Sequence, residues 1–111
     1  MIKAKLFDKD LYKKTSTNDL ILFCIFSISG KKEKCSFEKL IQECFSSFPE
    51  VFSFPGIKKW PDSRKLDRPL RALRKKKMIA GNLQGFFSLT KEGKKSAQET
   101  FRVLGQRRLQ I

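Results

Sequence analysis

The sequence contains no histidine and only three cysteines, Cys24, Cys35 and Cys44. Histidines and closely spaced cysteine pairs supply most zinc ligands, and these three cysteines form no C-x-x-C pair. A zinc site therefore has too few ligands, and we expect neither a bound metal nor a cofactor. We interpret the three cysteines as reduced thiols of the core.

Long apolar segments are also missing. The most apolar run, 20–28, has nine residues, whereas a helix that crosses the hydrocarbon core of a membrane needs about 20. The first residues mix apolar and charged side chains and lack the apolar core and cleavage site of a signal peptide. These absences predict no membrane partner and a cytoplasmic location.

Motifs of common enzymes are absent as well. The sequence has no G-x-x-x-x-G-K-[ST] phosphate loop, no histidine base and no convincing pair of catalytic carboxylates. Asp62 and Asp67 are better explained as residues at the start of a helix, where a carboxylate is favourable. We therefore expect that the protein is not an enzyme.

Acidic residues are few, because 11 Asp and Glu stand against 25 Lys and Arg, for a net charge of +14. This balance favours a polyanionic partner, and of the two such partners, nucleic acid and an anionic membrane surface, we expect nucleic acid. A length of 111 residues and a hydrophobic content of 40% are sufficient for a core. The composition thus predicts one folded domain.

Two helices are predicted in the first half of the chain. The first covers about 18–29, with candidate N-cap side chains in 16–19 and Gly30 as a C-terminal stop. Because it is apolar on nearly every side, we expect it at the centre of the domain. The second begins after Ser36, repeats apolar residues at helical spacing and ends before Pro49. The phenylalanines predicted as core residues are Phe37, Phe45, Phe48 and, near the end of the chain, Phe101.

The segment 49–61 contains three prolines and a Pro-Gly pair, so we predict a long ordered loop in place of a helix or strand. It has too much apolar surface to extend freely into solvent. Several of its apolar residues are therefore expected to dock on the core, from the set Val51, Phe52, Phe54, Ile57 and Trp60.

A third helix is predicted over about 62–77, where Pro69 indicates either a kink or a start nearer Asp67. Its inward face consists of Leu66, Leu70 and Leu73. A β-hairpin follows over 78–89, with its turn at 81–85. Thr90 then caps a last helix that starts at about 91. One side of that helix carries Ala97, Phe101 and Leu104.

Two stretches, 70–79 and 87–97, resemble the winged helix-turn-helix family. The first has Leu-x-x-Leu followed by basic residues and an aliphatic pair, with Lys77 where the family often has glycine. The second matches an aromatic-x-Leu-Thr-x-x-Gly-x-x-x-Ala passage from a strand into the last helix. The resemblance covers roughly residues 18–104 and implies a mainly α fold with a small β-hairpin wing. We therefore assign a single domain to 16–111 and an N-terminal arm to 1–15, where a short helix is the alternative. The family usually has a short turn where this chain has the loop 49–61.

The predicted third helix concentrates positive charge. Residues 62–77 contain eight Lys or Arg and two Asp, which gives +6 of the total +14. Like charges at i, i+4 repel by a few tenths of a kcal/mol per pair, and a phosphate backbone is the simplest explanation for such a stripe. The cations that project opposite the leucines are Arg64, Arg68, Arg71 and Lys75.

The family resemblance implies that this helix enters the major groove of double-stranded DNA, in transcription regulation or in the targeting of a larger assembly. RNA is the alternative nucleic acid. The candidate DNA-binding residues are Arg64, Lys65, Arg68, Arg71, Arg74 and Lys75 of the helix and Asn82 and Gln84 of the wing.

Two other interpretations remain open. Winged helices also serve as protein-docking modules, and here the aromatic loop 49–61 would be the contact surface. Within that loop, Phe54 and Trp60 either stack on unpaired bases or act as docking residues on the core.

The last helix could further pair two copies of the chain, as the family often does.

Overall fold

The computed structural model describes residues 9–81 and 84–108, which form a mainly helical α+β domain with two small antiparallel strand pairs. In chain order the elements are α1 (Lys9–Lys13), α2 (Thr17–Gly30), α3 (Phe37–Ser47), α4 (Pro49–Phe52), β1 (Ser53–Phe54), β2 (Ile57–Pro61), α5 (Arg64–Lys75), β3 (Ile79–Ala80), β4 (Ser88–Leu89) and α6 (Lys91–Arg108). The strand pairs are β1 with β2, called the first hairpin, and β3 with β4, called the second hairpin.

Helix α2 lies at the centre, which confirms the prediction from its apolar circumference. The Ser16 side chain caps it by accepting a hydrogen bond from the Asp19 N–H at 3.2 Å. Helices α3, α5 and α6 and strand β4 all contact α2. Its buried residues are Leu20, Ile21, Leu22, Phe23, Cys24, Ile25 and Ile28.

The end of α2 differs from the predicted glycine stop. Gly30 is the last helical residue, and the left-handed position belongs to Lys32, with φ of 61°. The Lys32 N–H donates to the Ser29 carbonyl and the Glu33 N–H to the Ile28 carbonyl, at 2.9 and 3.3 Å. These two bonds satisfy the last carbonyl groups of the helix, so a lysine takes the conformation that glycine usually adopts.

Helix α3 begins after its Ser36 cap, as predicted.

The four phenylalanines expected in the core differ in their burial. Phe48 is fully buried, whereas Phe37 and Phe45 are half-buried. The prediction for Phe101 was wrong, because this residue is 51% exposed. Over 91–104 of α6 the buried positions are Gly93, Ala97, Thr100 and Leu104. Phe101 lies one residue beyond that face and stacks on Phe23, with ring centroids 6.0 Å apart.

The segment 49–61 contains a short helix and a β-hairpin, which corrects the prediction of a loop without elements. Pro49 occupies the first turn of α4, where its missing N–H is not needed. Pro55 and Gly56 form the hairpin turn, and Gly56 has the positive φ of 82° that the third position of a type II turn requires. Phe52 docks on the core as expected, but Trp60 is 58% exposed.

Helix α5 starts at Arg64 and continues through Pro69, so the alternative start near Asp67 was wrong. It ends with the Met78 N–H bonded to the Leu73 carbonyl at 3.0 Å and with Lys77 at φ 59°. Lys77 therefore adopts the left-handed conformation, even though glycine is more common at such a position.

The passage from the second hairpin into α6 depends on one threonine and one glycine. The Thr90 hydroxyl donates to the Lys77 carbonyl at 2.7 Å and accepts from the Gly93 N–H at 3.2 Å, which confirms the predicted cap. A Cβ atom at Gly93 would overlap the carbonyl oxygen of Met78. The Thr-x-x-Gly spacing thus lets α6 begin in direct contact with the backbone that follows α5.

Helix α1 belongs to the same core as the rest of the described chain. Tyr12 is 2% exposed, and its ring contacts Phe48 edge-on with centroids 5.0 Å apart. Its hydroxyl oxygen accepts a hydrogen bond from the Glu50 N–H at 3.2 Å. Residues before α2 therefore help to hold α4 in place.

The different surroundings of Gly93 and Gly30 predict different effects of substitution by alanine. Gly93→Ala should lower the free energy of unfolding by about 1–3 kcal/mol, because the new methyl group overlaps a backbone carbonyl that cannot move freely. Gly30→Ala should be neutral or stabilising by up to about 1 kcal/mol, because it adds a helix-favouring residue in open space. Urea unfolding of both variants measures the difference. Equal stability of the two would contradict this account of α6.

Burial of the three thiols predicts slow chemical modification. Cys24, Cys35 and Cys44 are free and buried, and burial raises the pKa of Cys35 to about 12 and that of Cys44 well above its usual value. Cys35 and Cys44 therefore hold little thiolate near neutral pH, and Cys24 is shielded from solvent. A disulfide reagent such as DTNB should react slowly with the native protein and rapidly with three thiols in denaturant. A fast native reaction would show that at least one thiol is accessible.

Candidate nucleic-acid interface

Helix α5 turns its leucines inward and its cations outward, as the sequence predicted. Leu66, Leu70 and Leu73 are 1–3% exposed, and α5 contacts α2. Because these leucines fix the rotation of the helix, the opposite side must face solvent. The exposed cations of α5 are Arg64, Arg68, Arg71, Arg74 and Lys75.

Arg64 is held by a neighbouring carboxylate. Its Nε and Nη2 atoms donate to the two carboxylate oxygens of Asp62 at 3.0 and 3.1 Å, and its backbone N–H donates to Oδ1. Asp62 itself is only 4% exposed. The Arg64 guanidinium holds the pKa of Asp62 below its usual range, and Asp62 raises the pKa of Arg64 in turn.

Arg64 also links α5 to the first hairpin. Its guanidinium carbon lies 4.8 Å from the centre of the Phe54 ring, a cation–π distance. The side chain nevertheless remains 70% exposed, and Nη1 is available to a further acceptor. Sequence periodicity identified Arg64 as a surface cation but not its contacts with Asp62 and Phe54, which depend on the unforeseen hairpin.

Two more candidate cations, Lys65 and Arg71, form contacts of different kinds with the rest of the protein. The Lys65 Nζ atom donates to the Val51 carbonyl at 3.0 Å, which holds α5 against α4. Arg71 pairs with Asp67 at 2.9 Å, and both side chains are well exposed. An exposed pair of this kind contributes only about 0–1 kcal/mol, so a phosphate can replace the carboxylate.

Arg68, Arg74 and Lys75 form no ion pair or hydrogen bond with other described side chains. Arg68 lines a shallow cavity of about 370 Å³ together with Arg64 and Lys65. The other residues around this cavity are Thr17, Val51 and Pro69. Three cationic side chains thus surround one concave surface between the start of α2 and α5.

The second hairpin is the candidate wing, and another basic segment lies beside it. Cys35 forms a β-bridge with Phe87, and the Phe87 N–H donates to the Cys35 carbonyl at 2.8 Å. Next to this bridge, the Lys34 Nζ atom lies 5.2 Å from the ring centre of Phe86. Of the two wing residues predicted as contacts, Gln84 is exposed and Asn82 lies outside the described residues.

In the described ranges, no group of three or more Cys, Asp or Glu side chains has a geometry that could hold a metal ion. None of the helices described here combines the length and the apolar character needed to span a bilayer. Comparison of the chain with protein-family models, curated protein sequences and solved structures gives no match. A function for the chain is therefore inferred from the geometry of α5 and its surroundings.

The buried carboxylate predicts that two arginines of the same helix face differ in their effect on stability. Arg64→Gln should lower the melting temperature, because it leaves Asp62 ionised in a shielded position without its cation. Arg68→Gln should leave the melting temperature nearly unchanged, because no described carboxylate depends on Arg68. The pKa of Asp62 is lowered in the folded protein, so the difference should be present at neutral pH and disappear as acid protonates Asp62. Thermal unfolding of both variants across pH tests this, and equal melting temperatures at neutral pH would contradict it.

Proposed function

We propose that this protein is a nucleic-acid-binding module of the winged helix-turn-helix type, with α5 as its recognition helix and β3–β4 as its wing. The observation that supports the proposal best is the exposed cationic face of α5, directly opposite the buried leucines. The order α2, α3, α5, β3–β4 and α6 is compatible with that fold. The segment between α3 and α5, which contains α4 and the first hairpin, is an addition to it.

Charge balance on α5 favours a polyanion. Residues 62–77 carry eight cations and two carboxylates, and each carboxylate already has an arginine partner. The remaining cations repel one another unless an external anion neutralises them. Double-stranded DNA carries one negative charge per about 1.7 Å of its axis, which is dense enough to do so.

The dimensions of α5 favour the major groove. An α-helix with its side chains is about 10–12 Å across, which fits the B-DNA major groove, about 12 Å wide and 8.5 Å deep. The twelve residues of α5 give it a length of about 18 Å. Arginine can bind guanine O6 and N7 with two hydrogen bonds, whereas lysine acts mainly as a point charge on phosphate. The deep, narrow major groove of A-form RNA does not admit such a helix, so we favour DNA over RNA. A role in transcription regulation or in targeting follows from this proposal.

A protein-docking function is the second candidate. The first hairpin exposes Trp60 by 58% and Ile57 by 37%. Large exposed apolar residues occur at protein interfaces more often than on the rest of the surface. Under this alternative the contact surface lies on the first hairpin, and the cations of α5 are only a solvated face.

Pairing of two copies through α6 stays a prediction. Ala97 and Leu104, which were expected to contribute, are buried, and α6 packs on α2. Phe101 is 51% exposed, so of the three residues predicted on that side of α6 it is the one that a second copy could contact.

Removal of the unpaired cations tests the proposal. The triple variant Arg68→Gln, Arg74→Gln and Lys75→Gln should remain folded, because none of these side chains is buried. Its affinity for duplex DNA should fall at least about tenfold at moderate salt, and the slope of log K against log salt should decrease by about 0.9 for each lost phosphate contact. Fluorescence anisotropy at about 50 and 200 mM salt measures both quantities.

The matched control removes the same charge from α6 and the neighbourhood of α1. Lys13→Gln, Lys14→Gln and Arg102→Gln are exposed positions outside α5, and this triple variant should bind duplex nearly as tightly as wild type. Equal loss in the two triple variants would mean that net charge alone controls binding. Unchanged affinity of the α5 variant would overturn the recognition-helix proposal.

A further inference from the structure

Trp60 is the only tryptophan of the chain, and it is 58% exposed. The docking of this segment is already achieved by other residues, since Phe52 is 1% exposed and Val51 packs against the core. A tryptophan normally buries a large apolar area, so its exposure needs a separate explanation.

The backbone presents Trp60 in an irregular strand pair. Phe54 pairs with Ile57 and Ser53 pairs with Pro61. Ser53 and Phe54 are adjacent in β1, whereas three residues of β2 lie between their two partners. These three residues are Lys58, Lys59 and Trp60. A bulge of this kind breaks the pairing, and the exposed side chains of Lys59 and Trp60 lie within it.

Charge around the bulge matches a polyanion. Lys58 and Lys59 directly precede the tryptophan in the chain, and the next element is the cationic helix α5. The Arg64 guanidinium over the Phe54 ring connects this hairpin to α5. A protein partner chosen for apolar contact alone gains nothing from two lysines beside its aromatic anchor.

We infer that the bulge formed by residues 58–60 is a base-stacking site, in which the Trp60 indole stacks on an unpaired base next to the duplex bound by α5. This inference rests on the proposed function and extends it to the junction between double-stranded and single-stranded DNA. Every base has a π face, so stacking on tryptophan does not require a particular sequence.

The distance from Trp60 to the duplex limits the position of that base. Arg64 is the fourth residue after Trp60 in the chain, and four steps of extended chain span at most about 14 Å. Successive nucleotides of one strand advance by about 3.4 Å along the duplex axis. The stacked base is therefore within about four nucleotides of the phosphates that contact the start of α5.

The experiment compares three DNA molecules that share one duplex: a blunt form, a form with a 3′ overhang of about four nucleotides and a form with a 5′ overhang of the same length. Wild-type protein should bind one overhang form about 5- to 150-fold more tightly than the blunt duplex, the range expected for one stacked base. Its tryptophan emission, which comes from Trp60 alone, should be quenched by that form and much less by the blunt duplex.

Variants at Trp60 separate stacking from simple apolar contact. Trp60→Leu keeps an apolar side chain without a π face and should lose the preference for the overhang, as should Trp60→Ala. Trp60→Phe should retain most of it. Phe101→Ala removes another half-exposed aromatic residue, on α6, and should keep the full preference.

The same measurements separate an error in the stacking site from an error in the proposed function. If blunt duplex binds and depends on the α5 cations, but the overhang gives no preference or Trp60→Leu keeps it, the stacking site is wrong and α5 still binds DNA. If wild type binds none of the three DNA molecules, the proposed function fails and the stacking site fails with it. A preference retained in Trp60→Ala would also overturn the inference.

Discussion

The burial of α2 on all sides is the constraint on which the rest of the structure depends. A helix with apolar residues around its whole circumference must be covered by several partners, and α3, α5, α6 and β4 cover it. Helix α5 contributes by burying Leu66, Leu70 and Leu73. Because those three positions fix its rotation, the cations between them face solvent, so the core that stabilises the domain also exposes a basic surface.

Periodicity and capping chemistry made much of this fold predictable. The serines that cap α2 and α3, the inward leucines of α5 and the threonine that caps α6 all act over three or four residues of sequence. Interactions of that range are visible in a single sequence. The predicted third helix was extended too far at both ends, because helix ends depend on contacts between distant residues. Examples are the Asp62 N–H with the Phe52 carbonyl and the Thr90 hydroxyl with the Lys77 carbonyl.

Other features depend on contacts between distant segments and were not predictable in this way. The prolines of 49–61 suggested a loop, but Pro49 and Pro55 occupy a helix start and a hairpin turn, two places where a missing N–H costs nothing. Phe101 was assigned to the core by spacing, although the buried face of α6 passes through Thr100 instead. The partners of Arg64 and the exposure of Trp60 become visible only once this hairpin is placed beside α5.

The central claim is that the face of α5 opposite its leucines contacts DNA. An NMR titration of isotope-labelled protein with a short duplex tests it most directly, because backbone amide shifts report each residue separately without substitution. If α5 binds the duplex, the largest shifts at low salt should fall in α5 and in the hairpin β3–β4, and they should decrease together as salt is raised. Shifts concentrated in α1 and α6, with α5 unaffected at saturating duplex, would contradict it.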